Sequence, residues 1–162
     1  MFGKKGVGCR RLLEQTQDLP IKISDSPKMG VDIAVTNFAF HPLEVKLIIW
    51  KLLKVPGVPE LWRKLCQGAH GVFYVFNVKD QSSFESITKW MLEVQKVQGI
   101  LPAVLIGTHA DSSQDRVVSF FQAATFAQTN GMMYFDTSIH GGPTLINPIR
   151  TLTFEMAKKI LK

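Results

Sequence analysis

The run Gly71-Val72-Phe73-Tyr74-Val75-Phe76-Asn77-Val78 most constrains what this chain can fold into. Successive residues of a strand point to opposite faces, and here both alternating sets are apolar. A strand of that kind is buried on both sides, as in the centre of a parallel sheet covered by helices. Ala103-Val104-Leu105-Ile106-Gly107 reads the same way. Between the two runs, residues 82–97 carry Phe84, Ile87, Trp90, Met91 and Val94 at helical spacing, with Gly99 as the stop. Ser82 followed three residues later by Glu85 has the spacing of a capping box.

The flanking segments extend the same alternation of strand and helix. Residues 31–40 alternate as a half-buried strand, His41-Pro42-Leu43-Glu44 makes a turn, and residues 45–50 form a second strand of an antiparallel hairpin. Val55-Pro56-Gly57-Val58-Pro59 is a loop, and residues 61–67 a short helix. Residues 117–130 form a helix ended by Gly131, residues 133–138 a short strand, and residues 147–161 a closing helix with Lys158, Lys159 and Lys162 at the end its dipole favours. The pattern predicts one domain over residues 1–162: a three-layer α/β sandwich with a mostly parallel sheet and one antiparallel edge strand. Ligands of such sheets bind at the carboxyl ends of the strands.

Composition narrows the class. At 46% hydrophobic and 20% charged residues, the chain is globular and not disordered. A net charge of +6 permits an acidic partner, a membrane surface or nucleic acid without indicating one. No basic–aromatic interleaving resembles an RNA-binding motif, so no nucleic acid is expected. Two cysteines, Cys9 and Cys66, exclude a disulfide scaffold and a four-cysteine zinc site. The four histidines, His41, His70, His109 and His140, lack metal-site spacing. No apolar run reaches the ~18–20 residues of a membrane span. With no signal peptide and no C-terminal cysteine for a prenyl group, the expected location is the cytoplasm, without an intrinsic membrane anchor.

Several separated segments share one resemblance. Gly68-Ala69-His70-Gly71, the apolar strand after it, Asp80-Gln81-Ser82-Ser83-Phe84 and Trp90 resemble the corresponding run of Rab proteins. Lys28-Met29-Gly30-Val31-Asp32 resembles their Thr-Ile-Gly-Val-Asp segment. Lys46-Leu47-Ile48-Ile49-Trp50 resembles the strand that enters their magnesium-binding loop. From Gly3 to its C-terminus the chain therefore resembles a Ras-superfamily small GTPase of the Rab branch. The resemblance implies a P-loop NTPase-like sandwich that binds guanine nucleotide with magnesium.

At the positions that carry the chemistry, the chain departs from that pattern. Gly3-Lys4-Lys5-Gly6-Val7-Gly8-Cys9-Arg10 aligns with G-x-x-x-x-G-K-[ST], with Gly3 and Gly8 at its glycine positions and Gly6 as a third glycine within the loop. Cys9 replaces the phosphate-binding lysine and Arg10 the magnesium-binding hydroxyl. Lys28 stands at the switch threonine and Lys51 at the loop aspartate. Val55, or Val58 in the other register, stands where a glutamine orients the attacking water. A dication beside such cationic heads is repelled by several kcal/mol even at an effective dielectric of ~20. Either the charges are solvated in a decayed site, or the basic cluster holds phosphate, sulfate or an acidic partner.

The guanine positions are half retained. Thr108-His109-Ala110-Asp111 replaces Asn-Lys-x-Asp, and Thr137-Ser138-Ile139-His140 replaces Thr-Ser-Ala-Lys. Asp111 and Ser138 match; Thr108, His109, Ile139 and His140 do not. The residues left to hold a nucleotide are Gly3, Gly6, Gly8, Asp111 and Ser138, with no catalytic residue and no metal ligand. The expectation is a pseudo-GTPase that uses no cofactor, or else binds GTP or GDP without magnesium. Its protein partners would dock on the apolar stretch of residues 52–62, which carries Leu52, Leu53, Leu61 and Trp62. The alternative is an atypical GTP-binding switch with very slow hydrolysis.

One defect concerns the fold. The phosphate loop of such a domain follows a buried central strand, yet only Met1 and Phe2 precede Gly3. At ~3.3 Å per residue they cannot cross a sheet. The first strand is expected to be missing or truncated, or its place filled by a segment from elsewhere.

Overall fold

The computed structural model describes residues 1–14, 22–26, 31–40, 43–52, 63–64, 66–111, 114–138 and 145–161. Among the described residues the strands are β1 (Phe2–Gly3), β2 (Lys22–Ser26), β3 (Val31–Phe40), β4 (Leu43–Leu52), β5 (Val72–Asn77), β6 (Ala103–Thr108) and β7 (Met133–Asp136). The helices are α1 (Cys9–Glu14), α2 (Gln81–Gln98), α3 (Phe120–Thr129) and α4 (Ile146–Ile160). One sheet holds all the strands in the order β2-β3-β4-β1-β5-β6-β7. From β4 to β7 every neighbour is parallel, while β3 runs antiparallel to both β4 and β2.

The doubly apolar strand does what its pattern requires. Val72, Tyr74 and Phe76 of β5 pack on one side with Phe84, Ile87 and Val94 of α2 and Ala123 of α3. Phe73 and Val75 pack on the other with Leu12 of α1 and Ile149 and Leu152 of α4. The result is the three-layer sandwich, its core divided by the sheet.

Several boundaries differ from the sequence reading. The antiparallel strand was expected at the sheet edge; β2 takes that edge and β3 lies inside it. Helix α2 starts one residue early, because Asp80 and not Ser82 is its cap: the Asp80 carboxylate accepts from the backbone N–H of Ser82 and Ser83. Helix α3 begins at Phe120, capped by Ser119, because the N–H groups of Val117 and Val118 are taken by the Val78 carbonyl. Of the expected short helix 61–67, Arg63, Lys64 and Cys66 are helical and Gln67 is in a turn.

The first strand is present as two residues in the central slot. Phe2 is in register with Leu52 of β4 and Tyr74 of β5, and Gly3 with Val75. Phe2 is buried, with Trp90 5.3 Å and Tyr74 6.4 Å from its ring centroid. The Met1 amine donates to the Trp50 carbonyl at 2.7 Å.

Candidate functional site

The glycine-rich loop leaves β1 and enters α1. A Cβ on Gly3 would lie 2.7 Å from the Val75 carbonyl oxygen and 2.8 Å from the Val7 side chain, so only glycine fits there. Gly6 has φ +93°, a conformation that L side chains rarely adopt. The Val7 N–H donates to Lys4 O, and Leu12 N–H to Gly8 O opens the helix. Thr108, at the carboxyl end of β6, donates its hydroxyl to Val7 O at 2.7 Å and lies 3.0 Å from Phe76 O. This residue pins the loop to the two strands beneath it.

The loop carries its charges away from its interior. Cys9 is buried, and burial pushes its thiol pKa up to about 11, so it is neutral. Arg10 Nε donates to Glu14 at 2.8 Å on the exposed side of α1. Lys4 reaches across to α2, donating to Ser82 Oγ at 2.6 Å with the Asp80 carboxylate 3.7 Å away. The Ser82 hydroxyl first, with the Ser83 and Ser82 N–H groups and Lys4, holds Asp80 below the usual carboxylate range.

Lys51 corrects the expectation of solvated or phosphate-seeking cations. It sits opposite Asp32 in the β3–β4 ladder, and Nζ donates to Asp32 Oδ2 at 2.6 Å. Both side chains are mostly covered, at 13% and 16% exposure. The residue at the loop-aspartate position is thus engaged by the carboxylate across from it, and Arg10 by Glu14. Lys28 and Val55 lie outside the described residues, as do residues 53–62 of the predicted docking stretch 52–62.

At the base end, Asp111 is exposed and Ser138 is buried, both at the carboxyl edge of β6 and β7. Ala110 N–H donates to Thr137 O, which holds the two segments together. His109 adopts φ +60° and its Nδ1 lies 3.0 Å from Thr108 Oγ1. Ile139 and His140 lie outside the described residues. Sequence reasoning missed Arg116, which forms two 2.8 Å bonds to the Asp136 carboxylate and one of 3.0 Å to Tyr134 Oη. Asp136 hydrogen bonding raises the Arg116 pKa, and burial raises that of Tyr134, whose hydroxyl also contacts Asp136. The signal was the charge of Arg116 just ahead of α3, within reach of the end of β7.

The described residues at these motif positions, Cys9, Arg10 and Lys51, do not fit a magnesium ion. The described positions offer a neutral thiol, a guanidinium and an ammonium, and the last two are already paired with carboxylates. None of these is an oxygen ligand, which magnesium requires.

A glycine-rich loop between a central parallel strand and a helix, at the carboxyl ends of the parallel strands β5, β6 and β7, is the arrangement of the G-domain class. The Ras family profile matches residues 1–158, and the chain belongs to that family. It is similar to the Ras-related protein Rab-2B of Dictyostelium discoideum, 28% identical over 161 residues, 99% of this chain and 80% of the relative. It is also similar to the GTP-binding protein ypt1 of Schizosaccharomyces pombe, 26% identical over 162 residues, 99% of this chain and 79% of the relative. Its relatives are Rab-like small GTPases, a family that binds GTP and GDP with magnesium.

Proposed function

We propose that this chain is a pseudo-GTPase that keeps the G-domain scaffold and serves as a protein-interaction module. The carrying observation is the Lys51–Asp32 pair: a cation occupies the loop-aspartate position and is held there at 2.6 Å. The neutral thiol of Cys9 removes the other charge that would hold phosphate. At the water-orienting position the sequence has Val55, or Val58 in the other register, and neither side chain can hydrogen-bond a water. Partners reach the β4 side of the sheet, where Ile48 and Trp50 expose apolar surface (48% and 37%). Exposed aliphatic and tryptophan side chains of this kind suit a protein interface. The reading also takes the protein to work in the cytoplasm; among the described residues, no helix is long and apolar enough to cross a membrane.

A second reading, a switch that binds GTP or GDP without magnesium, draws on Gly6, Thr108, Asp111 and Ser138. It is supported by the positive φ of Gly6 and by the Thr108 hydroxyl bond to Val7 O that holds the loop. Titration calorimetry with GTP and GDP, with and without magnesium, separates the two. A pseudo-GTPase gives no nucleotide heat in either condition, whereas the second reading gives heat without magnesium. Micromolar or tighter binding that requires magnesium, about −8 kcal/mol, sinks it. The triple change Cys9→Lys, Arg10→Ser and Lys51→Asp is expected to restore nucleotide binding where the cradle is intact.

A further inference from the structure

From Val117 to Phe135 the chain carries no Asp, Glu, Lys or Arg, against 20% charged residues overall. The two charges that bound this run, Arg116 and Asp136, neutralise each other through a pair of 2.8 Å bonds. Helix α3 lies inside the run, with one side turned to solvent. A surface helix ordinarily carries charged residues on its outer side; this one has none.

The outer side of α3 is an ordered stripe. Ala123 and Ala127 are buried beneath the helix. Phe126 packs on Phe84 at 5.1 Å and Phe120 on Tyr134 at 5.3 Å between ring centroids. Phe121, Thr125 and Gln128, spaced i, i+4 and i+7, are left facing outwards on one line, and all three are exposed. Phe121 is 81% exposed, and Val117, just ahead of the helix, 57%. An aromatic side chain on a charge-free stripe has the composition of an interface centre, where aromatics are enriched and charges depleted.

The neutrality of the stripe identifies its occupant. Near a two-fold axis each residue meets its own copy. A charge there meets a like charge, so a self-pairing surface is neutral at its centre. A different partner sets no such condition, because charges of opposite sign would serve it. Glutamine suits the two-fold geometry, since its amide both donates and accepts, and so does the threonine hydroxyl. The stripe also complements itself in shape. Thr125 lies near the middle of α3, and an antiparallel crossing there sets Phe121 of one copy against Thr129 of the other, a large side chain against a small one at both ends. Copies that each carry +6 repel at their basic faces, which favours contact through a neutral one.

We propose that two copies of this chain associate through antiparallel α3 helices, about a two-fold axis at Thr125 and with Phe121 as the anchor. A helix of ten residues makes a contact about 15 Å long, small beside the ~800 Å² per partner of a stable complex, so the pair is reversible. Helix α3 packs on β7, at the other end of the sheet from β3 and β4, and the pair leaves Ile48 and Trp50 open. Sedimentation equilibrium of the whole chain from about 5 µM to about 1 mM is expected to show its mass rise from one copy towards two. Raising NaCl from about 0.05 to about 0.5 M screens the repulsion between copies and is expected to strengthen association. Phe121→Glu removes the anchor, puts an unpaired carboxylate into the contact and is expected to weaken it at least about tenfold. That variant is expected to keep the parent melting temperature, because residue 121 is exposed in the first turn of α3, where a carboxylate suits the helix dipole. Mixing Phe121→Glu chains with Thr129→Lys chains is expected to restore pairing, since the antiparallel crossing sets those positions opposite. Ile100→Glu, a like change at an exposed site outside α3, is expected to leave association unchanged.

A chain that stays a single copy across that range overturns the proposal. Should it then bind phosphatidylcholine vesicles in a way that Phe121→Glu abolishes, the face belongs to a lipid surface instead. Association that weakens with salt also overturns the proposal, since ion pairs would then hold the copies. So does association that Ile100→Glu reduces as much as Phe121→Glu does, or a mixture of the two charged variants that does not pair. None of these outcomes bears on the nucleotide calorimetry, which tests the pseudo-GTPase reading by itself.

Discussion

The two flanks of the central strand β5 are built differently. Towards β6, six consecutive pairs from Val72–Ala103 to Asn77–Thr108 form an unbroken parallel ladder. Towards β4, the ladder is two residues of β1 and then a cleft. The same apolar strand thus has one side completed by backbone bonds and one side left mostly to side chains. In a parallel sheet the hydrophobic layers and the hydrogen-bond ladder are separable, and here the layers persist where the ladder stops.

Truncations at matched places break or sharpen that contrast. Phe76 is fully buried on the complete flank, with Phe84 4.9 Å and Tyr134 6.1 Å from its ring centroid. Phe76→Ala is expected to cost about 3–5 kcal/mol in urea denaturation, the range for a large side chain removed from a closed core. Phe2→Ala removes a ring of equal size beside the cleft and is expected to cost less. Equal losses would mean that the two flanks are equally packed.

The second effect is on pH. Burial, against the Cys9 and Cys66 thiols that act the other way, lowers the Met1 amine pKa from 8.0 to about 6. The Lys51–Asp32 pair is the other charge near Cys9. Between those values the unfolded chain binds the extra proton, so stability rises with pH. The burial penalty is fully present below pH 6 and absent above pH 8, a difference of roughly 2–3 kcal/mol. Melting followed across that window, with and without Nα-acetylation, is expected to show the slope only in the free amine.

Lys51→Ala leaves Asp32 covered and unpaired, and is expected to cost about 1–3 kcal/mol in the same denaturation assay. Lys51→Met with Asp32→Asn is expected to recover part of that loss. Smallest is Lys4→Ala. Its ion pair with Asp80 is exposed on both sides, so a change of under about 1 kcal/mol is expected, and a larger one would mean that Lys4 clamps the loop to α2.

What the sequence made legible follows the strength of each physical signal. The strands β5 and β6 and the helix α2 could be read because burial on known faces dictates their residues. The strand β2, Lys-Ile-Ser-Asp-Ser, carries no such pattern; its pairing with β3 makes it a strand. The Asp80 cap was hidden by the neighbouring Ser82, which satisfied a familiar spacing. The Lys51–Asp32 pair was within reach. Register counted from Phe40 opposite Leu43 puts residue 32 across from residue 51, but the predicted hairpin turn spanned four residues and hid the count. The degenerate loop positions were legible as letters, whereas the partners of their charges required the fold.

The two cysteines have a practical consequence. Both are buried, and burial raises each thiol pKa to about 11. A maleimide meets almost no thiolate while the native packing holds. Cys9 lies in the α1 and α4 layer and Cys66 in the α2 layer, beside the cleft. Labelling rates at the two sites therefore act as independent clocks for the opening of either layer, written into the chain without any engineered probe.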